Sequence, residues 1–234
     1  MTGVRYKAIF FDRDGTLSQF SLRKERERDS AIGQIVGKPD LKVDHMAIFW
    51  RVWQMPGVHP VNTLEREDQF WRLWYKTILE DYGQGAKAER LAGELFERFC
   101  FYRCMELYPE TLSVLQTLRG CGFKMAVISD TFPSLEESCR HLGIHGYFDA
   151  FTASSLVGAG KPDPRIFNAA LQALGVRAEE AIFVDDTKEE ADGARAMGFT
   201  AFCLDRRLAQ PDFRNWTIGN LKPLVEFLMG ERLE

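Results

Sequence analysis

The segment Lys7-Ala8-Ile9-Phe10-Phe11-Asp12-Arg13-Asp14-Gly15-Thr16-Leu17 decides how this chain folds. Its apolar run, 7–11, is too continuous for a strand with one wet face. It reads as a strand buried on both sides, the condition of a parallel sheet covered by helices. Two carboxylates two residues apart then leave the carboxyl end of the strand, and the glycine after them permits a sharp turn. In an open α/β sheet, ligands gather just outside that end of the strands. Asp12 and Asp14 could therefore collect a hard cation, attack an electrophile or cap the turn.

Four further short runs, 124–129, 150–154, 181–185 and 201–204, read as strands of the same kind. Helical patterns at 111–119, 134–142, 164–174 and 189–197 alternate with them. Pro164 suits a first helical position, Gly175 and Gly198 suit stops, and Ser134 with Glu137 suits a capping pair. Strand–helix alternation implies right-handed crossovers in a doubly wound sheet. Between the first strand and the second lies a stretch far too long for a structureless loop. It carries apolar residues at helical spacing over 46–53, 69–80 and 88–102. The expected fold class is α/β, a doubly wound parallel-sheet Rossmann-like core with an inserted α-helical cap domain. The core is expected at 1–17 and 106–234 and the cap at 18–105.

The 234 residues are 45% hydrophobic and 27% charged, with 30 basic and 34 acidic residues giving a net charge of −4. That composition excludes a disordered chain and gives no basis for nucleic-acid binding, which leans on phosphate neutralisation. No apolar run approaches the roughly 20 residues needed to cross a bilayer, so no membrane partner is expected. The N-terminus runs straight into a strand and carries no secretory pattern. Cys100, Cys104, Cys121, Cys139 and Cys203 are scattered, without a Cys-x-x-Cys pair. They read as reduced thiols of a cytoplasmic protein, not as a disulfide frame or zinc site.

Three more pieces carry chemistry. Ser129 ends a strand in Ala126-Val127-Ile128-Ser129-Asp130, Lys161 precedes a helix in Gly160-Lys161-Pro162-Asp163-Pro164, and Asp185-Asp186 ends another strand. Taken singly, the serine reads as a cap and the lysine as solvated. Adjacent acids at a strand end repel unless a cation or hydrogen-bond donors hold them, which favours a metal there. In order, the acid pair, hydroxyl, lysine and second acid pair assemble a phosphoryl-transfer site. Carboxylates supply a nucleophile and hold Mg2+, while Ser129 and Lys161 hold phosphoryl oxygens.

Asp12-x-Asp14-Gly15-Thr16, Ser129, Lys161-Pro162 and Asp185-Asp186 together resemble the four signatures of the haloacid dehalogenase (HAD) superfamily. The insertion after the first motif is similar to that of the helical-cap branch, which includes phosphoglycolate phosphatase-like and β-phosphoglucomutase-like enzymes. The resemblance implies a Mg2+-dependent hydrolase, a phosphatase acting on a small phosphorylated metabolite through an aspartyl-phosphate. It makes Asp12 the nucleophile, and Asp14 the group that protonates the leaving group and then activates water. Thr16, Ser129, Asp130 and Lys161 would contact the substrate. Asp12, Asp14 (through its backbone carbonyl), Asp186 and Asp185 would serve the metal. Branch members that remove halide lack the second acid of the first motif and need no metal, whereas this chain keeps both. The alternatives are a sugar-phosphate mutase on the same core and a non-catalytic binding protein.

The chain departs from the family pattern at several positions. Arg13 stands where an apolar residue is usual, Asp130 where Asn is frequent, and Glu190 where a second Asp often follows. Ser18-Gln19-Phe20 lacks a common acidic residue. Within the insertion, the spacing of Trp50, Trp53, Phe70, Trp71 and Trp74 predicts packing between helices. His45 and His59 read as incidental, and the alternating charges of 23–28 as a solvated helix face.

Overall fold

The computed structural model describes residues 6–231. In chain order the elements are β1 (Ala8–Phe11), β2 (Ser18–Phe20), α1 (Leu22–Val36), α2 (His45–Trp53), α3 (Leu64–Asp81), α4 (Ala88–Phe99), β3 (Met105–Leu107), α5 (Thr111–Gly120), β4 (Lys124–Ser129), α6 (Leu135–His141) and β5 (Ala150–Ala153). They continue with α7 (Ser154–Val157), α8 (Pro164–Leu174), β6 (Ala181–Asp185), α9 (Lys188–Ala196), β7 (Thr200–Leu204), β8 (Thr217–Ile218) and α10 (Lys222–Glu231). The chain divides into two compact units. One holds 6–19, Leu107–Thr131 and 142–231, and the other holds Phe20–Glu106 and Phe132–His141.

The first unit is built on a parallel sheet of order β5-β4-β1-β6-β7-β8. This is the expected doubly wound α/β core. β1 lies inside the sheet, between β4 and β6, and every residue of Ala8–Phe11 is fully buried, as expected of a strand with both faces covered. Side chains alternate between faces with period two. Ala8, Phe10, Ala126, Ile128 and Phe183 therefore pack with Ile166, Phe167 and Ala170 of α8 and with Ala191 and Ala194 of α9. Phe167 meets Phe183 edge-on at 5.4 Å, a geometry that adds to area burial. α8 begins as its sequence predicts: Pro164 sits in the first turn, Asp163 accepts from the Arg165 N–H, and Gly175 closes the helix at φ +63°. β8 is an addition to the expected strands. It is two residues long and held by pairing to β7, so it has no hydrophobic period of its own.

The second unit is helical, with its own core of Ile32, Val52, Phe70, Trp74, Ile78, Leu79 and Leu95. It contains most of the expected insertion and also takes in α6, which the alternation had read as a core helix. The physical reason is local. Phe132 lies 5.1 Å from Phe70 and 5.4 Å from Trp71, and Glu67, itself buried, accepts from both the N–H (2.8 Å) and the hydroxyl (2.6 Å) of Ser134. Three of the tryptophans pack as the spacing predicts: Trp71 stacks on Phe101, Trp53 on Phe49, and Trp74 is almost fully buried, whereas Trp50 is exposed on α2 and meets the Phe49 ring beside it. One expectation for the helix face at 23–28 needs correction. Arg28 is buried, its guanidinium lying over the rings of Phe20 and Trp74 between Glu25 and Asp29. His45 stacks on Trp74, and His59 bonds the Trp53 carbonyl. Among the described residues no helix is long and apolar enough to cross a membrane.

Candidate active site

The sheet register brings the motifs to one rim. Phe11 lies opposite Val127 on one side and Val184 on the other, so Asp12, Ser129 and Asp185 all leave the carboxyl ends of neighbouring strands. The Asp12 N–H donates to the Val184 carbonyl at 2.9 Å, which continues the ladder one residue past β1. Asp12, Ser129 and Asp185 are buried.

Lys161 is the hub. Its ammonium lies 2.8 Å from Asp12 Oδ1, 2.6 Å from Asp185 Oδ2 and 2.7 Å from Glu190 Oε2, and its side chain is 1% exposed. Burial alone would push this lysine down, but Asp12, Asp185 and Glu190 together outweigh it and hold the ammonium charged. Burial pushes Asp12 well above the usual carboxylate range against the pull of Lys161. Burial likewise raises Glu190 to about 7, opposed by Lys161. Three carboxylates thus share one ammonium, leaving an excess of negative charge in a dry place. Asp130 completes the frame, its carboxylate accepting from the Lys161 backbone N–H at 3.0 and 3.1 Å.

The turn after β1 is tightly closed. The Arg13 carbonyl accepts from the Leu17 and Ser18 N–H groups, and Gly15 N–H donates to Ser18 O at 2.8 Å. Gly15 has φ +79°, and a Cβ there would lie 2.0 Å from Asp186 Oδ2, so glycine is required both by conformation and by the carboxylate pressed against it. Arg206, from the loop after β7, clamps the same turn. Its Nε donates to Gly15 O (2.9 Å), one Nη to Thr16 O (2.6 Å) and the other to Glu110 (2.9 Å), with the guanidinium lying over the Tyr108 ring. Gly15, Tyr108, Asp186 and Arg206 line a cavity of about 550 Å³ in this unit. Arg13 is fully buried and forks onto Asp14, Nε to Oδ1 at 2.8 Å and Nη2 to Oδ2 at 2.6 Å, with Nη2 also 2.8 Å from Thr131 Oγ1.

The residues present fit a hard divalent cation. Asp12 Oδ2 and Thr16 Oγ1 are buried without a hydrogen-bond partner among the described residues, an arrangement native proteins rarely leave unexplained. The donors around them are oxygens, the set that suits Mg2+. Among the described residues no three His, Cys, Asp or Glu side chains converge as a ready-made cage. Mg2+ characteristically takes one or two carboxylates and keeps several waters, so a full protein cage is not required.

The structure brings together Asp12, Lys161 and Asp185, and separately sets Asp186 over Gly15 and Asp14 in the Arg13 fork. Asp185, expected beside the metal, has its Oδ2 2.6 Å from the Lys161 ammonium, and its Oδ1 accepts from the Thr187 N–H at 2.8 Å. Asp130, read as a substrate contact, holds the Lys161 backbone. Arg206, Glu110 and Thr131 were missed, because nothing in their local sequence distinguishes them from surface polar residues.

Fold, motif order and rim geometry define a HAD-type hydrolase core, and comparison with known proteins agrees. A family model described as haloacid dehalogenase-like hydrolase matches residues 6–198, and the chain belongs to that family. A phosphoserine phosphatase of Thermus thermophilus is 32% identical over 201 residues, covering 82% of this chain and 77% of the relative. A glyceraldehyde 3-phosphate phosphatase of Methanopyrus kandleri is 37% identical over 204 residues, covering 86% and 84%. Among solved structures, a 2-haloacid dehalogenase of Pseudomonas syringae superposes with a TM-score of 0.70 at 26% identity, covering 96% of this chain and 99% of that one.

Proposed function

We propose that this protein is a Mg2+-dependent phosphatase of small phosphate monoesters that works through an aspartyl-phosphate on Asp12. The observation that carries the reading is the buried cluster of Asp12, Asp185 and Glu190 around Lys161, with Asp12 Oδ2 left without a protein partner. The nearby phosphatase relatives support it. The presence of Asp14 and Asp186 favours phosphate esters over the haloacids of the structural neighbour.

The ionised Asp12 attacks phosphorus, and the bond from phosphorus to the ester oxygen breaks. Asp14 gives its proton to the departing oxygen. Water then attacks the phosphorus of the aspartyl-phosphate while Asp14 takes its proton, which frees Asp12 and releases orthophosphate. Lys161 holds Asp12 in place and stays charged to face phosphoryl oxygens, with Ser129 and the Thr16 hydroxyl as further donors. Asp185, Glu190 and Asp130 fix the lysine. Asp12, Asp186 and the Asp14 carbonyl would hold Mg2+, which when bound offsets the surplus negative charge and neutralises the phosphoryl oxygens. The five cysteines, none joined in a disulfide among the described residues, suit a reducing, cytoplasmic setting.

The test is release of phosphate from 4-nitrophenyl phosphate with Mg2+ and with EDTA, followed by a screen of small esters that includes phosphoserine and glyceraldehyde 3-phosphate. Mg2+-dependent release that is lost in Asp12→Asn supports the reading. An Asp12→Asn variant of full activity rules it out.

A further inference from the structure

The Arg13 fork supports a role that rests on the phosphatase reading above: we propose that Arg13, anchored by Thr131, is the positioning residue of Asp14. A guanidinium with no exposed surface is costly to desolvate unless its donors are matched, and here a bidentate grip on a carboxylate matches them. The grip constrains both the place and the plane of the Asp14 carboxyl. Asp14 needs that constraint, since its side chain is 40% exposed and would otherwise be free to change rotamer.

The base of the fork cannot drift. The Arg13 carbonyl is held by the Leu17 and Ser18 N–H groups, and its Nη2 is held by Thr131 Oγ1 at 2.8 Å. Thr131 is fixed in turn. Its N–H donates to Ser154 Oγ at 3.0 Å, and its carbonyl accepts from the Ser155 N–H at 3.3 Å. Thr131 follows Ser129 by two residues, so the fork ties the loop bearing the proton-transfer group to the loop bearing the phosphate-binding hydroxyl. An apolar residue at position 13 could not make this tie. Asp14 must reach first the leaving oxygen and then a water, and small misplacements of such a group are expensive in rate.

Arg13→Lys keeps the charge and loses the fork. Thr131→Val keeps the shape and loses the anchor, and it carries the test if the buried lysine fails to fold. A nitrophenolate departs without a proton, whereas an alkoxide needs one. In both variants kcat/KM on glycerol phosphate should therefore fall at least about tenfold further than on 4-nitrophenyl phosphate. A merely structural role lowers the two equally, and equal losses overturn the proposal. Crystal structures of the protein and of Thr131→Val give a readout independent of turnover. The Asp14 carboxyl should occupy one rotamer in the first and spread or shift in the second, and an unmoved Asp14 also overturns the proposal. A parent protein that hydrolyses neither these two esters nor any other ester of the screen defeats the phosphatase reading, while the crystallographic comparison still decides the role of Arg13.

Discussion

At the scale of single residues, the chemistry is governed by burial of unlike charges in unequal number. Lys161 meets Asp12, Asp185 and Glu190 in a place where none of the four can be well hydrated. Lys161→Met removes the only cation from that cluster, and breaking a buried pair from one side is expected to cost about 3–5 kcal/mol in urea unfolding near pH 8. Gly15→Ala tests the opposite kind of constraint. Its Cβ would fall 2.0 Å from Asp186 Oδ2 on a backbone at φ +79°, so Asp186 must move. Phosphatase activity should drop by about a hundredfold or more, while far-UV circular dichroism stays close to that of the parent.

At the scale of elements, helices hold the site from behind. Gly193 in α9 has no room for a side chain, since a Cβ would lie 2.4 Å from Pro162 Cβ, and Pro162 is bonded directly to Lys161. Gly193→Ala should therefore destabilise the fold by about 1–3 kcal/mol through overpacking and lower activity by displacing the lysine. A full-strength Lys161 function in that variant would show that α9 does not set the loop. In the helical unit, α3 and α6 meet through the buried carboxylate of Glu67 and the hydroxyl and N–H of Ser134. Ser134→Ala leaves Glu67 short of one donor, at a cost of about 1–3 kcal/mol by denaturant titration.

At the scale of the molecule, stability should depend on pH and metal together. Glu190 in the folded state titrates at about 7, above the ordinary 4.5, so the native protein holds a proton that the unfolded chain has already released. That contribution is complete below pH 4.5 and disappears as pH rises through 7. Burial displaces Asp12, Asp130 and Asp186 in the same direction. Glu180 and Asp205, held down to about 2 by Lys7 and Arg207 respectively, act in the opposite sense, and only as acid is added below their ordinary range. The metal-free protein should thus melt at falling temperatures from pH 5 to pH 8. Glu190→Gln should flatten that profile, and Mg2+ should restore stability at the alkaline end by binding the native state alone. A melting temperature that climbs with pH in EDTA would contradict the charge balance described for the site.

By itself the sequence determined the parallel core, the helical character of the insertion, and the order of the four motifs. Each of these is written in local patterns: continuous apolar runs, 3.6-residue stripes, and short motifs at strand ends. Family membership was legible for the same reason, since Asp12, Asp14, Ser129, Lys161 and Asp186 sit in recognisable local contexts. Only the tertiary structure decided who partners whom. Lys161 and Asp12 are 149 residues apart, Arg13 and Thr131 are 118 apart, and Arg206 reaches back 190 residues to Thr16. No local pattern encodes such pairs, because a buried charge is satisfied by whatever the sheet register and loop packing bring within hydrogen-bond reach. That is why Arg13 and Glu190 looked like departures from a motif in the sequence, and why Arg206 went unnoticed there.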